Sequence, residues 1–598
     1  MKSWKRWLAA LLCAALLAGL SGCSLGLPLL VWSSLKDRKA DTSQAQSAFS
    51  ASQSGGTCGA SASCQTSAAG QTAEAGTLAK DGYFGDVSRG DTAYADMKPD
   101  APTQEEFQKL ADAIAAFAES GGDQDAFDDA AWDAEYALYR FDTASCLYDL
   151  QNSANSGNEK LGAQTNDAQN QYDTANDAYW TAMHAVAVSG HKELLKKNYS
   201  DSVIDMFRTY DGSGASDTRE LSAQESTLER QYEALISESE VDYDAICELY
   251  VKLVGVRNQI AQQAGYDTFA DYAYEYLYSR GYTPEDAKTI WTEAREQISP
   301  LVTKYKDAIQ AQTGSLYYSD ELDCSPDAIL SAIQTGADGM SPEVSAAAQY
   351  LRKYGLYDIE STGTKLSTGY TTYFSQYNEP FIFNCPYDAY YDYTDMFHEF
   401  GHFLAYFYNG ADVIFGVSDY DLSELQSQGM EVMFFRFYDK IFGARDAKII
   451  RAGTLLNLLY SVVDGAMYDE FQQRVYTEKN LTADRVKEIF QEVYESYGYE
   501  PYDGFQQEWM DQIHNFEQPM YYISYAVSAI PALELYAKQQ TSPSDAMDAY
   551  LRVAAMSDEN YYLADAVKEA GLPDVFAEGT CRQIAQSLRQ SGALRMKN

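Results

Sequence analysis

The sequence predicts a mainly α-helical protein with one small β element. Two observations lead to this expectation. From Thr103 onward, large apolar residues recur at intervals of three and four in many stretches, the pattern of a helix that buries one face. A single segment, from about residue 364 to about residue 393, has the Tyr-, Phe- and Thr-rich composition of strands, and Pro380 and Pro386 interrupt it.

The helical pattern is clearest in three stretches, at residues 107–117, 246–256 and 290–305, where apolar side chains line up on one face. Glycine-containing turn sequences separate stretches of this kind. We therefore expect an N-terminal helical lobe (100–330) and a second lobe (331–598), which contains the β element and the candidate chemistry described below.

The composition excludes two broad classes of protein. With 46% hydrophobic and 14% aromatic residues among 598, the chain can bury a core and is not disordered throughout. Asp and Glu total 88 against 44 Lys and Arg, which gives a formal net charge of −44. Because so acidic a chain repels a phosphate backbone, nucleic acid is not an expected partner. Only five histidines are present, so a metal site that uses imidazole has few candidates.

The N-terminus has the pattern of an export signal. Basic residues in the first six positions precede a run of 14 apolar residues from Trp7 to Leu20, which is too short to span a bilayer comfortably. The run leads into Leu-Ser-Gly-Cys23, which resembles a bacterial lipobox. We expect residues 1–22 to be a lipoprotein signal peptide and Cys23 to be lipidated. The chain would then be anchored to a bacterial cell membrane with its body on the extracytoplasmic side. An ordinary cleaved signal followed by a chance cysteine is the alternative.

The segment that follows is expected to be a tether. Residues 23–99 are rich in Ala, Ser, Gly, Gln and Thr and contain few large apolar side chains, so they cannot bury enough surface to fold. Two cysteines, Cys58 and Cys64, lie within it. In an oxidising exterior they either form a disulfide or remain two free thiols, and the sequence does not decide between these alternatives.

A metal-binding motif follows the β element. Residues 398–402 read His-Glu-Phe-Gly-His, and two histidines four apart lie on the same face of a helix. His398 and His402 can therefore present imidazole nitrogens to one Zn²⁺, which in catalytic sites keeps three protein ligands and one water. Glu399 stands beside the first ligand, where it can act as a general base on that water. A helix with two hydrogen-bonded core histidines is the alternative.

The third ligand is expected to be a carboxylate. His514 is the one histidine downstream of the motif, and it lies more than 100 residues away. Glu424 lies 22 residues beyond His402, far enough for one helix to end and a second to return. Glu431 is on the same face of that second helix, where it either orients a ligand histidine or is a solvated or salt-bridged carboxylate.

Three segments together resemble the oligoendopeptidase F branch of the thimet oligopeptidase-like zinc peptidases. They are the motif at 398–402, the segment from Asp421 to Glu431, and the segment from His514 to Tyr525. A weaker resemblance lies upstream, at Gly265 to Tyr272. The likeness extends over roughly residues 230–560, and its first two motifs are the specific ones.

The resemblance implies a fold and a set of roles. The fold is an elongated multi-helix body divided by a deep substrate channel, with the β element next to the zinc helix. One Zn²⁺ per chain is held by His398, His402 and Glu424, and Glu399 is the general base. Hydrogen-bond donors over the substrate come from the C-terminal segment, and they are His514, Tyr522 and Tyr525. Phe403 departs from the family pattern, in which a small residue is expected after the second ligand.

The sequence therefore predicts a membrane-anchored zinc endopeptidase that hydrolyses oligopeptides. Two other functions remain open. One is a zinc carboxypeptidase on a similar helical fold, and the other is a non-enzymatic lipoprotein that binds peptides. Glu399 argues against the second, because a protein that only binds peptide has no use for a general base.

Overall fold

The protein is described here from a computed structural model. The structure describes residues 83–84, 90–155, 158–210, 219–236, 240–313, 322–366, 368–386, 389–416, 418–558 and 561–591. The expected signal peptide, the lipidation site Cys23, and Cys58 and Cys64 lie outside these residues. Within the ranges that the structure does describe, no helix is both long enough and apolar enough to cross a membrane.

Helices dominate the described residues, as the sequence predicts. The α-helices, in chain order, are α1 Gln104–Ser120, α2 Gln124–Ala154, α3 Glu159–Val188, α4 Asp201–Thr209, α5 Arg219–Ile236, α6 Tyr243–Gln263, α7 Phe269–Tyr272, α8 Pro284–Glu293, α9 Ser299–Thr313, α10 Pro326–Met340, α11 Pro342–Tyr354, α12 Tyr391–Asn409, α13 Tyr420–Phe434, α14 Tyr438–Thr477, α15 Ala483–Ser496, α16 Gln507–Asp511, α17 His514–Glu517, α18 Ile523–Thr541, α19 Pro543–Ala554, α20 Leu563–Glu569 and α21 Thr580–Ser591.

Shorter helical segments of other types link some of these. In the part of the chain that the structure describes, 3₁₀ turns lie at Tyr94–Asp96, Lys192–Lys197 and Phe435–Phe437. The same part of the chain contains π-helical turns at Ala273–Leu277 and Ala294–Ile298. The amphipathic stretch predicted at 290–305 is therefore a continuous helical segment, in which a π turn joins α8 to α9.

The β element is a three-stranded sheet directly before α12. Its strands are β1 Tyr357–Asp358, β2 Gly369–Phe374 and β3 Glu379–Asn384, in the order β1-β3-β2. Strand β3 pairs antiparallel with β2 over its whole length and parallel with β1 at two positions. Both longer strands are buried, and α12 packs on them, so the sheet supports the helix that carries the metal motif.

Pro380 does not interrupt the strand region, contrary to the sequence-based expectation, because it lies inside β3. It pairs with Tyr373 of β2, while β1 reaches β3 only at Ile382 and Phe383. At residue 380 the strand therefore has a neighbour on one side only. A proline without a backbone N–H is tolerated at such an edge position.

Two large hydrophobic cores and one small cluster at Tyr373 and Ala411 hold the described body together. One forms among α1–α4 and includes Val413 and Ile414 from the loop after α12. The other large core contains residues from the C-terminal half of α2 and from α5 to α21, and it includes the sheet, α12, α13 and α18. The elements that carry the candidate metal ligands are thus buried in the larger core, where side-chain packing fixes their positions.

Candidate metal centre

Helix α12 presents both histidines of the motif in a buried environment. His398 and His402 are one turn apart, with ring centroids 5.1 Å from one another, and their residues are 1% and 4% exposed. Glu399, between them in sequence, is also buried. The helix places all three side chains out of contact with bulk water, where a bound ion interacts with its ligands most strongly.

A glycine lets the second helix approach. If Gly401 carried a Cβ, that atom would stand 2.6 Å from the Cα of Ser427 and 2.7 Å from the carbonyl oxygen of Gln426. No side chain is tolerated at such distances from a backbone, so glycine is needed for α13 to pack on α12 at this point. The close packing brings Glu424 to the two histidines.

The three predicted ligands meet at one point. One donor atom from each of His398, His402 and Glu424 lies within 4.8 Å of the others. His398 Nε2 and Glu424 Oε2 are 3.4 Å apart. Two imidazole nitrogens and one carboxylate oxygen are the donor set that zinc takes in many catalytic sites.

The protonation state of His402 suits a metal ligand. Burial, followed by the neighbouring His398, lowers the pKa of His402 to about 3, so its imidazole is neutral at ordinary pH. Its Nε2 atom is buried and has no hydrogen-bond partner among the described residues. A buried polar atom without a partner is costly unless something absent from the chain satisfies it. The residues therefore fit a divalent metal ion.

Each histidine makes a hydrogen bond through its other ring nitrogen. His398 Nδ1 lies 2.8 Å from Glu431 Oε1, and His402 Nδ1 lies 3.1 Å from Ser423 Oγ. Such contacts fix the ring orientation and the tautomer, so that Nε2 is left to face a metal. The structure thus places Glu431 against His398, where the sequence suggested that it orients a ligand.

Glu399 is held by the sheet. Thr371 of β2 donates a hydrogen bond from Oγ1 to Glu399 Oε2 at 2.7 Å. Burial raises the pKa of Glu399 to about 8, and the nearby carboxylates of Glu424 and Glu431 add to the rise. A divalent cation beside these groups favours the charged form and opposes that shift. The carboxyl group is thus held where it can exchange a proton with a neighbouring group.

The second oxygen of Glu399 lies near Gly369 of β2. A Cβ at Gly369 would lie 3.7 Å from Glu399 Oε1 and 3.1 Å from Asn384 Oδ1, so a glycine at 369 avoids a tight contact with Asn384. The Nδ2 atom of Asn384 is buried and has no hydrogen-bond partner among the residues that the structure describes.

The C-terminal segment forms an aromatic cluster around His514. The ring centroids of Tyr522 and Tyr525 lie 5.2 and 5.9 Å from that of His514. Tyr525 Oη is 3.5 Å from His514 Nε2. Tyr521 connects this cluster to the metal ligands, because its hydroxyl donates a hydrogen bond to Glu424 Oε1 at 3.1 Å. Tyr521 was not among the site residues predicted from the sequence.

His514 is neutral and can act as a hydrogen-bond donor. Burial lowers its pKa to about 4, although the charge of Glu424 opposes the shift. The side-chain amide nitrogen of Gln512 donates to His514 Nδ1 over 2.6 Å. The ring proton is therefore on Nε2, which is the atom on the side of Tyr525.

Comparison with known proteins adds information at the level of the fold. No protein-family model matches the sequence, and no curated protein sequence matches it. Many solved structures do match in shape. A protein assigned as oligoendopeptidase F has 19% sequence identity and a TM-score of 0.71, with 85% of this chain and 99% of that chain covered. The chain has the oligoendopeptidase F fold.

Two further structures agree with this assignment. PZ peptidase A, solved with an inhibitor, has 18% identity and a TM-score of 0.66 and covers 84% of this chain and 99% of that one. A protein from Bacillus anthracis str. Ames, also assigned as oligoendopeptidase F, has 19% identity, a TM-score of 0.64 and coverage of 85% and 99%. The expected mainly helical fold of the oligoendopeptidase F branch is therefore confirmed.

The departure at Phe403 is accommodated by the hydrophobic core of this fold. Its side chain is fully buried, and its ring stacks on Phe400 at 6.2 Å and on Phe407 at 6.0 Å between centroids. The bulky residue thus packs in an aromatic row along α12, and the two histidines still meet Glu424.

Sequence reasoning missed several contacts of the site. They are made by Thr371, Ser423 and Tyr521. Ser423 directly precedes the predicted ligand Glu424, and Tyr521 directly precedes the predicted donor Tyr522. Their proximity in sequence to predicted site residues could have indicated that they belong to the site. The local backbone conformation determines whether Tyr521 or Tyr522 reaches the ligand. The residue types alone do not predict that conformation.

Proposed function

We propose that the chain is a zinc-dependent endopeptidase that hydrolyses oligopeptides. One observation carries the proposal: a buried His398–His402–Glu424 cluster lies beside a buried carboxyl group, Glu399. A peptide-binding protein needs neither feature. The fold shared with oligoendopeptidase F structures and with PZ peptidase A supports peptides as the substrate class.

His398, His402 and Glu424 would hold one Zn²⁺. When bound, zinc lowers the pKa of a coordinated water and polarises a carbonyl group. Imidazole with carboxylate favours zinc over harder cations.

The remaining steps belong to the chain's own side chains. Glu399 removes a proton from the attacking water and delivers it to the nitrogen of the leaving amine. Thr371 holds the carboxyl group through the hydrogen bond to Oε2.

Negative charge develops on the carbonyl oxygen of the scissile bond as water attacks. His514 carries its proton on Nε2 and donates toward that charge, and the hydroxyl groups of Tyr522 and Tyr525 are the accompanying donors. Donors that are already oriented in a site shielded from water stabilise such charge most effectively.

The test uses fluorogenic peptides with the full chain and its Glu399→Gln variant. We expect the wild type to cleave internal bonds and to continue when the peptide C-terminus is amidated. The variant should retain zinc and lose about 10²- to 10⁴-fold in kcat, the usual contribution of a general base. Loss of cleavage on amidation would favour the zinc carboxypeptidase, and absence of any turnover in zinc-loaded wild type would favour a peptide-binding lipoprotein.

The same proposal includes a lipid anchor at Cys23 and a location at the extracytoplasmic face of a bacterial membrane. Its support is the N-terminal sequence, with its basic start, 14-residue apolar run and Leu-Ser-Gly-Cys motif. Expression in a bacterial host with a radiolabelled fatty acid tests it. The wild type should incorporate label and sediment with membranes, whereas Cys23→Ser should not incorporate label.

A further inference from the structure

We propose that Tyr521 and Ser423 are positioning residues for two of the metal ligands. Tyr521 orients the carboxylate of Glu424, and Ser423 orients the ring of His402. The inference rests on the proposed function, since it concerns the same metal site. With Glu431 against His398, each ligand then has its own hydrogen-bond partner.

The contact of Tyr521 separates the two oxygens of Glu424. Tyr521 donates from its hydroxyl to Oε1 at 3.1 Å, while Oε2 lies 3.4 Å from His398 Nε2. A hydroxyl bound to one oxygen stops the carboxylate from rotating about its last bond. The other oxygen, which also accepts a hydrogen bond from Ser427 Oγ at 3.3 Å, lies on the side of His398 Nε2.

Tyr521 is itself held firmly by residues from a distant part of the sequence. Its carbonyl oxygen accepts a hydrogen bond from Arg280 Nη2 at 3.3 Å, and its ring packs edge-on against Tyr278 at 5.6 Å. The guanidinium of Arg280 is buried and lies 4.4 Å from the ring centroid of Tyr274 and 4.7 Å from that of Tyr278. Tyr278 also donates to the carbonyl oxygen of Pro519 at 2.9 Å.

The local backbone explains why Tyr521, and not its neighbour, reaches Glu424. Met520 has a φ of +67°, which is unusual for a residue with a side chain, and its N–H donates to Gln472 Oε1 at 2.7 Å. This turn directly precedes Tyr521, which is 4% exposed. The hydrogen bond from Met520 thus supports a backbone conformation that directs the next side chain to the ligand.

Ser423 is placed by the start of α13. Asp419 caps this helix by accepting a hydrogen bond from the N–H of Leu422 at 2.8 Å, which fixes the first turn. Ser423 follows in that turn and lies 3.1 Å from His402 Nδ1. When Nε2 of His402 faces a metal, Nδ1 carries the proton and donates to Ser423 Oγ. The serine next to Glu424 therefore fixes the tautomer of His402.

These contacts predict an effect on metal binding itself. Loss of a hydrogen-bond partner of a ligand typically lowers metal affinity 10- to 100-fold, because the ligand must then be ordered by the metal alone. A side chain with a purely structural role would lower stability and leave the metal affinity of the folded protein unchanged.

The experiment measures zinc affinity by competition with a chromophoric chelator, with the full chain and no substrate. Tyr521→Phe and Ser423→Ala should each weaken zinc binding about 10- to 100-fold and alter the visible absorption of the Co²⁺-substituted protein. Tyr522→Phe is the matched control for the first variant and should keep wild-type affinity. Ser423→Thr retains a hydroxyl and should recover most of the affinity that Ser423→Ala loses.

Each outcome has a defined meaning. Wild-type zinc affinity in folded Tyr521→Phe and Ser423→Ala would overturn the inference while leaving the proposed function intact. Circular dichroism establishes that the variants are folded, so a loss of affinity is not confused with unfolding. Failure of the wild type to bind zinc at all would instead contradict the proposed function.

Discussion

Gly401 of helix α12 and Ser427 of helix α13 are so close that a Cβ on Gly401 would stand 2.6 Å from the Cα of Ser427. The contact joins the helix that carries both histidines to the helix that carries Glu424. The geometry of the metal site therefore depends on the absence of one methyl group.

Replacement of Gly401 by alanine should disrupt both packing and metal binding. The added Cβ meets backbone atoms, which cannot rotate away, so α13 must shift; overpacking of this kind costs about 1–3 kcal/mol. We expect a lower free energy of unfolding in urea and a zinc affinity reduced at least 10-fold. Gly255 is the matched control, since its Cβ would meet nothing within 4 Å. Gly255→Ala should be neutral or slightly stabilising, and equal effects of the two changes would contradict the account.

Thr371→Val should change the pH dependence of hydrolysis. The hydrogen bond from Thr371 lowers the pKa of Glu399, so its removal raises that pKa further. The acidic limb of kcat/KM against pH should move to higher pH, and kcat at pH 7 should fall about 10-fold at constant zinc content. Thr372→Val is the control, because the Thr372 hydroxyl is directed to Cys146 Sγ, at 3.9 Å. An unshifted acidic limb in Thr371→Val would show that the contact does not tune the base.

His514 should act as a neutral donor across the working pH range. Burial lowers its pKa to about 4, so it does not become charged between pH 5 and 9. His514→Ala should reduce kcat about 10²- to 10³-fold with little change in KM, as expected for the loss of a donor used in the transition state. His514→Gln retains an N–H donor and should lose less, with an unchanged pH profile. A pH limb that disappears in His514→Gln would mean that the ring titrates during catalysis.

The folded protein should be more stable at mildly acidic pH than at pH 8. Burial raises the pKa values of Glu135, Asp149 and Asp464 to about 7. In the unfolded chain these groups lose their protons near pH 4, so between about pH 4 and pH 7 the folded state binds more protons. Its stability therefore falls as pH rises through this window, by about 1.4 kcal/mol per pH unit for each proton held only in the folded state.

Urea denaturation at pH 5, 6, 7 and 8 measures this dependence. The overall charge of −44 acts in the same direction, because self-repulsion grows as carboxyl groups ionise. Added salt screens that repulsion and leaves the buried groups largely unaffected. We expect the slope to persist in 0.5 M NaCl and to be smaller in Asp464→Asn. Stability that increases from pH 5 to pH 8 would contradict the assignment of these pKa shifts.

The sequence could predict the parts of the site that follow from spacing along one helix. His398 and His402 share a face because they are four residues apart, and Glu424 was reachable because 22 residues allow a helix to turn back. The packing that joins them was not readable, since the need for glycine at 401 appears only when Ser427 is seen against it.

Contacts across long separations in sequence could not be predicted for the same reason. Tyr521 is 97 residues from Glu424, and its reach depends on the positive φ of Met520. Thr371 reaches Glu399 from a strand whose register with β3 is set by tertiary pairing. Pro380 was misread as a break because the short length of β1, which leaves that part of β3 unpaired on one side, is invisible in the sequence.

The central claim is that His398, His402 and Glu424 bind one zinc ion together. Anomalous X-ray diffraction at the zinc K-edge, from crystals of the purified protein, tests it most directly. We predict a single strong anomalous peak about 2.0–2.2 Å from Nε2 of each histidine and from a carboxylate oxygen of Glu424. A peak at another site, or a hydrolytically active crystal form with no peak between these three side chains, would contradict the account.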